Sequence, residues 1–160
     1  MQLEIFTTGG TIDNVYFDAK SKFEVGETQI LEVLREANLS IAYQVTPLMR
    51  KDSLELTDQD RALVRKAVEA STATRIVITH GTDTMTETAR ALTGVTGKTI
   101  VLTGAMQPAR FRFTDAVFNI ASAMMAAQTL TAGVYIAMNG QVFDPETTRK
   151  NVELNRFEAI

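Results

Sequence analysis

Two threonines stand where an apolar run gives way to glycine: Thr11 in Leu3-Glu-Ile-Phe-Thr-Thr-Gly-Gly-Thr-Ile-Asp13, and Thr82 in Arg75-Ile-Val-Ile-Thr-His-Gly-Thr-Asp-Thr-Met85. A strand that stops at glycine frees backbone N–H groups, and the positive end of a following helix favours an anion in the same spot. Hydroxyls presented there suit a site that holds a carboxylate and attacks a neighbouring carbonyl. A plain strand-to-loop turn accounts for Gly9-Gly10-Thr11 equally well, since glycine turns the chain at positive φ without steric cost. Asp83 either complements the dipole of a helix that begins at Thr84, or accepts a bond from a substrate ammonium while Thr82 faces the reacting group. Thr84 and Glu87 have the spacing of a capping box. Lys150, in Thr147-Thr-Arg-Lys-Asn151, reads locally as a surface lysine, although one withdrawn from water could serve as the base that a threonine hydroxyl requires. His80 is the only histidine and closes an apolar strand, which suits a structural role. Any Ser-His-Asp arrangement would have to run through it.

Composition narrows the classes of function. The 160 residues carry a net charge of -3, with 45% hydrophobic and 22% charged residues, as in an ordinary globular domain. Residues 1–160 are expected to form a single domain around one core. The charge argues against nucleic acid or an anionic membrane as a partner, and leaves small molecules or proteins. Without cysteine there is no disulfide, thiolate nucleophile or zinc-thiolate site, and one histidine cannot build a multi-histidine metal site. Met1-Gln-Leu-Glu-Ile-Phe lacks the basic and long apolar regions of a signal peptide, so the expected location is cytoplasmic.

The elements that must position these residues alternate along the chain. Strands are expected at Leu3–Thr8, Ile41–Leu48, Arg75–Thr79, Thr99–Thr103 and Gly133–Met138, and helices at Gln29–Ala37, Asp58–Ser71, Thr84–Leu92 and Asp115–Ala127. Short, almost continuous apolar strands suit a sheet buried on both faces. The fold class is therefore α/β: a doubly wound, mainly parallel sheet flanked by helices, Rossmann-like or flavodoxin-like in three layers, with right-handed crossovers. Ligands bind such sheets beyond the carboxyl ends of the strands, where Thr8-Gly-Gly-Thr11, His80-Gly-Thr-Asp83 and Thr103-Gly-Ala-Met106 lie. The polar and aromatic segment from Asn14 to Gly26 shows no clear period and is expected to be a mobile lid over that edge. Asn139–Ile160 is expected to form a hairpin or an edge extension.

These motifs resemble the bacterial-type L-asparaginase family of threonine amidohydrolases. Thr8-Gly-Gly-Thr-Ile12, Thr79-His-Gly-Thr-Asp-Thr-Met85 and Thr103-Gly-Ala-Met-Gln-Pro108 match its first, second and third motifs in order and spacing, spanning nearly the whole chain. By this resemblance Thr11 corresponds to the primary nucleophile, and Thr82, Lys150 and Asp83 to a threonine-lysine-aspartate triad in which Asp83 orients the lysine or holds the substrate amino group. The match at Lys150 rests on Met138-Asn139 and Val142-Phe-Asp144. Ser53 lies where the family binds the substrate carboxylate. Phe23 occupies the place of a lid tyrosine, with Tyr16 as the alternative source of its hydroxyl, and Leu54 stands where a polar substrate contact is common. The resemblance covers the family's N-terminal domain, and its C-terminal domain is expected to be absent. It implies hydrolysis of L-asparagine or a related small amide through an acyl-enzyme, without metal or cofactor. The alternative is a non-catalytic binding module for an amino acid or dicarboxylate. An open site of this kind needs cover, so a homo-oligomer is expected.

Overall fold

The computed structural model describes residues 2–17 and 21–160. Along the chain, strand β1 (Gln2–Gly9) leads into the hairpin strands β2 (Asn14–Phe17) and β3 (Lys22–Val25), helix α1 (Ile30–Glu36) and strand β4 (Ala42–Lys51). Next come α2 (Asp58–Ala70), β5 (Arg75–Thr79), α3 (Met85–Ala91), β6 (Thr99–Thr103), α4 (Ala116–Thr129) and β7 (Gly133–Met138). Three short strands finish the chain: β8 (Gln141–Phe143), β9 (Thr148–Asn151) and β10 (Arg156–Ala159).

The central sheet has the order β4-β1-β5-β6-β7-β8, parallel throughout except for the antiparallel pair β7 and β8. From β1 the chain moves to β4 on one side and then returns to β5 on the other, so the order reverses between β1 and β5. A doubly wound sheet opens its ligand crevice at such a reversal, outside the carboxyl ends of the strands. Thr11 and Thr82 follow these two strands.

Burial on both faces explains why the strands read as unbroken apolar runs. Ile76, Ile78, Ile100 and Leu102 pack with Val64 and Val68 of α2 and Met85 and Ala89 of α3. Val77 and Val101 point the other way, toward Leu34 of α1 and Ile120 and Ala123 of α4. Pro47 sits in β4, where an edge strand tolerates a residue without an N–H. Among the described residues no helix is long and apolar enough to cross a membrane.

Three local expectations need correction or completion. The segment after Asp13 is not an unpatterned loop: β2 and β3 form an antiparallel ladder with Tyr16 opposite Phe23, as their aromatic and β-branched residues favour. Asp18, Ala19 and Lys20 lie outside the described residues. Thr84 does precede α3, but no capping box forms there. Its hydroxyl donates to the Ser53 carbonyl at 2.7 Å, and Glu87 pairs with Arg61 at 2.8 Å, so tertiary partners replace the local ones. A complete capping box starts α2 instead, between Thr57 and Asp60. Finally, the C-terminal segment supplies both of its expected forms, with β8 extending the sheet edge and β9 and β10 pairing as a hairpin.

The turns after the strands pack backbone to backbone. Gly10 has φ +91°, and a Cβ on it would run into the Gly81 backbone, whose nitrogen would lie 2.5 Å away. A Cβ on Gly81 would in turn meet the Ser53 side chain at 2.5 to 2.6 Å, and one on Gly104 would strike the His80 carbonyl. Gly94, at φ +89°, has open space around it. Gly94→Ala is therefore expected to cost about 1 kcal/mol from backbone strain alone, whereas Gly10→Ala adds overpacking against rigid backbone, for a total of about 3 kcal/mol or more. Urea unfolding of the two variants checks this; equal losses would contradict the stacked-turn arrangement.

Candidate active site

The stacked turns bring the sequence-predicted residues together. Thr11 follows Gly10 and Thr82 follows Gly81, so contact between the two glycines places the threonines on neighbouring loops at the sheet reversal. Thr11 opens a 3-10 turn, Thr11–Asp13, whose carbonyl at Ile12 accepts the Ala109 N–H of the loop after β6. Ser53 is buried against Gly81 and opens another 3-10 turn, Ser53–Glu55, which Asp52 caps by accepting the Leu54 N–H at 2.9 Å. Thr82 is buried beside it.

Lys150 reaches this cluster from the far end of the chain. Its Nζ donates to Thr82 Oγ1 at 2.8 Å and to Asp83 Oδ1 at 2.6 Å, and its side chain is only 16% exposed. Remote elements hold it there. Phe157, the register partner of Lys150, inserts into the core, and its N–H donates to the Asn139 side chain at 2.8 Å. Arg90 on α3 donates to the carbonyls of Pro145 and Thr148, fixing the approach to β9. The third glycine loop is fastened by Asp115, whose carboxylate accepts the N–H groups of Met106 and Gln107, and by Asn119, which donates to the Gly104 carbonyl. Sequence reasoning missed Arg90, Asp115, Asn119 and Asn139 as positioning residues. The only available signal was an Asp and an Asn four residues apart at the start of a helix.

Phe23 and Tyr16 form a cross-strand pair with ring centroids 5.4 Å apart, and Phe23 meets Phe111 edge-on at 5.9 Å. The β2–β3 hairpin thus leans on the loop after β6. Leu54 is largely exposed. Among the described residues no three His, Asp or Glu side chains converge as a metal site would require.

Two buried titratable groups underlie the site. His80, fully buried, must be protonated at Nδ1, because the Gly81 carbonyl 2.7 Å away can only accept; Nε2 then accepts from the Thr88 hydroxyl. Burial lowers its pKa to about 4, and the nearby Arg61 acts in the same direction, against the pull of the Gly81 carbonyl. Its surroundings assign it a structural role. Asp13, 2% exposed, fastens the base of the hairpin: its carboxylate accepts the Gln29 N–H at 2.8 Å, and its carbonyl the Gly26 N–H at 2.9 Å. Burial raises its pKa to about 6, only partly offset by the Gln29 N–H, the Thr28 hydroxyl and Arg50.

A doubly wound α/β protein with a threonine-lysine-aspartate cluster at its sheet reversal is the class that this geometry defines. Comparison with known proteins narrows it. The family described as "Asparaginase, N-terminal" matches residues 2–160, and the chain belongs to the asparaginase family. A relative named "Probable L-asparaginase periplasmic" from Haemophilus influenzae is 31% identical over 159 residues, covering 92% of this chain and 46% of that protein. The "Glutaminase-asparaginase" of Acinetobacter glutaminasificans is 37% identical over 115 residues, covering 69% of this chain and 34% of its own length. The solved structure of the thermostable L-asparaginase from Thermococcus kodakarensis superposes with a TM-score of 0.86 at 26% identity, covering all of this chain and 51% of that one. The chain thus spans about half the length of the L-asparaginases it matches.

The two buried groups give opposite pH dependences. Below pH 6.5 the unfolded chain protonates a histidine that the folded chain keeps neutral, so His80 costs stability as pH falls from 6.5 to about 4. Asp13 binds its proton more tightly when folded, so it adds stability as pH falls from about 6 to 3.8. Each effect amounts to about 3 kcal/mol, and they largely cancel. Asp60, held at about 2 by Lys51, acts below this window. Asp13→Asn, whose amide oxygen can still accept the Gln29 N–H, is expected to be more stable than the parent at pH 7 and to lose that advantage by pH 4. Parallel stability curves for the two proteins in urea would refute this assignment.

Proposed function

We propose that this domain carries the threonine-nucleophile half of an amidohydrolase acting on a small amide, L-asparagine or a close relative. The observation that carries the reading is the contact of Lys150 Nζ with both Thr82 Oγ1 and Asp83 Oδ1. An ammonium donates in that arrangement; a neutral amine in the same place can take the proton of the Thr82 hydroxyl, with Asp83 keeping the lysine in line. Thr11 or Thr82 adds to the amide carbon as its hydroxyl proton is taken up, that proton passes to the amide nitrogen as the C–N bond breaks and ammonia leaves, and water then hydrolyses the acyl-threonine ester to the acid, restoring the hydroxyl. Backbone N–H groups of the glycine turns are the donors assigned to the developing oxyanion, apart from that of Gly10, which donates to the Lys51 carbonyl at 3.0 Å; fixed donors suit a charge that forms only in the transition state. The packing of Ser53 against Gly81, next to Thr82, supports assigning it to the substrate carboxylate. The names of the relatives differ in the amide concerned, asparagine alone in one and glutamine together with asparagine in another, which supports the reaction class more than any one substrate.

The whole site is read as completed by a second copy or by further chain, since it opens at the sheet edge. A second reading, a binding module for an amino acid or dicarboxylate, is favoured by the exposed apolar side chains of Phe23 and Leu54 beside the cleft. Ammonia release from a panel of amides separates the two. Thr11→Ala, Thr82→Ala and Lys150→Met are each expected to lower turnover roughly 10^3-fold while the fold survives. Unchanged turnover in both threonine variants would eliminate the hydrolase reading, and thermal stabilisation by aspartate without any turnover would establish the binding module.

A further inference from the structure

Strand β2, the Gly26–Gln29 turn and α1 flank an open cavity whose lining includes none of Thr11, Thr82, Asp83 and Lys150. It measures about 640 Å³, within the range of small-molecule sites, and Tyr16 forms part of its wall. Three guanidinium groups line it from three separate elements: Arg35 from the last turn of α1, Arg50 from the end of β4, and Arg110 from the loop after β6. The chain as a whole is negative, so this local cationic excess over the lining carboxylates, Glu27 and Glu32, is not a reflection of composition.

The arginines are prepared rather than merely present. Gln29 is a buried amide that donates through Nε2 to the Glu27 carbonyl at 2.7 Å, which turns its Oε1 toward Arg110 to accept Nε–H at 2.8 Å. Arg110 is thereby oriented through its Nε, leaving its two Nη groups without an acceptor among the described residues. The Arg35 side chain makes no hydrogen bond or ion pair with any described residue. Of the three, only Arg50 has a carboxylate partner among the described residues, Glu27 at 3.3 Å. Glu27 is 83% exposed, so an incoming anion displaces it at little cost. Planar forks of this kind match the paired oxygens of a carboxylate or phosphate.

We propose that this cavity is a binding site for a compact oxyanion, a carboxylate or phosphate group gripped by Arg35 and Arg110 with Arg50 beside them. It is separate from the threonine cleft and does not depend on the hydrolase reading. It is also connected to that cleft. Gln29, which orients Arg110, gives its backbone N–H to Asp13, two residues after Thr11, so an anion on Arg110 braces the base of the hairpin beside the nucleophile loop.

Titration calorimetry with inorganic phosphate and, separately, succinate tests this at constant ionic strength set by chloride. At least one is expected to bind saturably with Kd at or below about 1 mM. Arg35→Ala, which removes no side-chain bond to any described residue, and Arg110→Ala should each weaken that binding about tenfold, while Lys66→Ala on α2 and Thr82→Ala should leave it unchanged. Phosphate binding alone identifies a phosphate site, and succinate binding alone a carboxylate site. No saturable binding of either anion, binding that survives both arginine substitutions, or binding lost in Thr82→Ala instead would overturn the proposal.

Discussion

Everything at the ligand edge of this protein depends on how closely the turn after β1 approaches the turn after β5. Gly10 and Gly81 touch through backbone atoms, Gly81 rests on Ser53, and Gly104 rests on His80, with no room for a Cβ at any of these contacts. Parallel strands about 4.8 Å apart leave their carboxyl-end loops free to splay; here the missing side chains let those loops close into one surface. The threonines follow directly after the touching glycines, so the distance between the loops also sets the distance between Thr11 and Thr82.

Holding such a surface rigid requires support from below and from the side. His80 provides the first, kept neutral by burial and held between Gly81 and Thr88. Asp13 provides the second by fastening the hairpin to the Thr11 loop, at the cost of keeping a carboxylate away from water. Lys150 is delivered by a hairpin outside the main sheet, which leans on Asn139, Arg90 and the core through Phe157. The cluster therefore draws on both ends of the chain, and local damage in the tail reaches the cleft through a single side chain.

Much of this was legible in the amino-acid sequence, for identifiable reasons. The central strands β5 and β6 are short, continuous and apolar because both of their faces are covered, whereas the edge strand β4 is longer and mixed, and the glycine breaks after β1, β5 and β6 mark the ligand edge. The β2–β3 hairpin escaped recognition because four-residue strands with exposed aromatics carry too little alternation. Thr84 kept the spacing of a capping box while its hydroxyl went to Ser53, which lies 31 residues away and is invisible to local pattern. Lys150 looked like a surface lysine in its own segment, and only the resemblance across the whole chain drew attention to it. Arg110 and Gln29 are 81 residues apart, so their pairing emerges only once the loop after β6 folds against α1.

The central claim is that the loops after β1 and β5 form one cleft in which an amide or its acid is held between Thr11 and Thr82. A crystal structure with bound L-aspartate tests it most directly. The account predicts the side-chain carboxyl carbon within about 3 to 3.5 Å of a threonine Oγ1, the α-carboxylate at Ser53, and Lys150 still on Thr82. Aspartate lodged elsewhere while the cleft between the two threonines stays empty would contradict it.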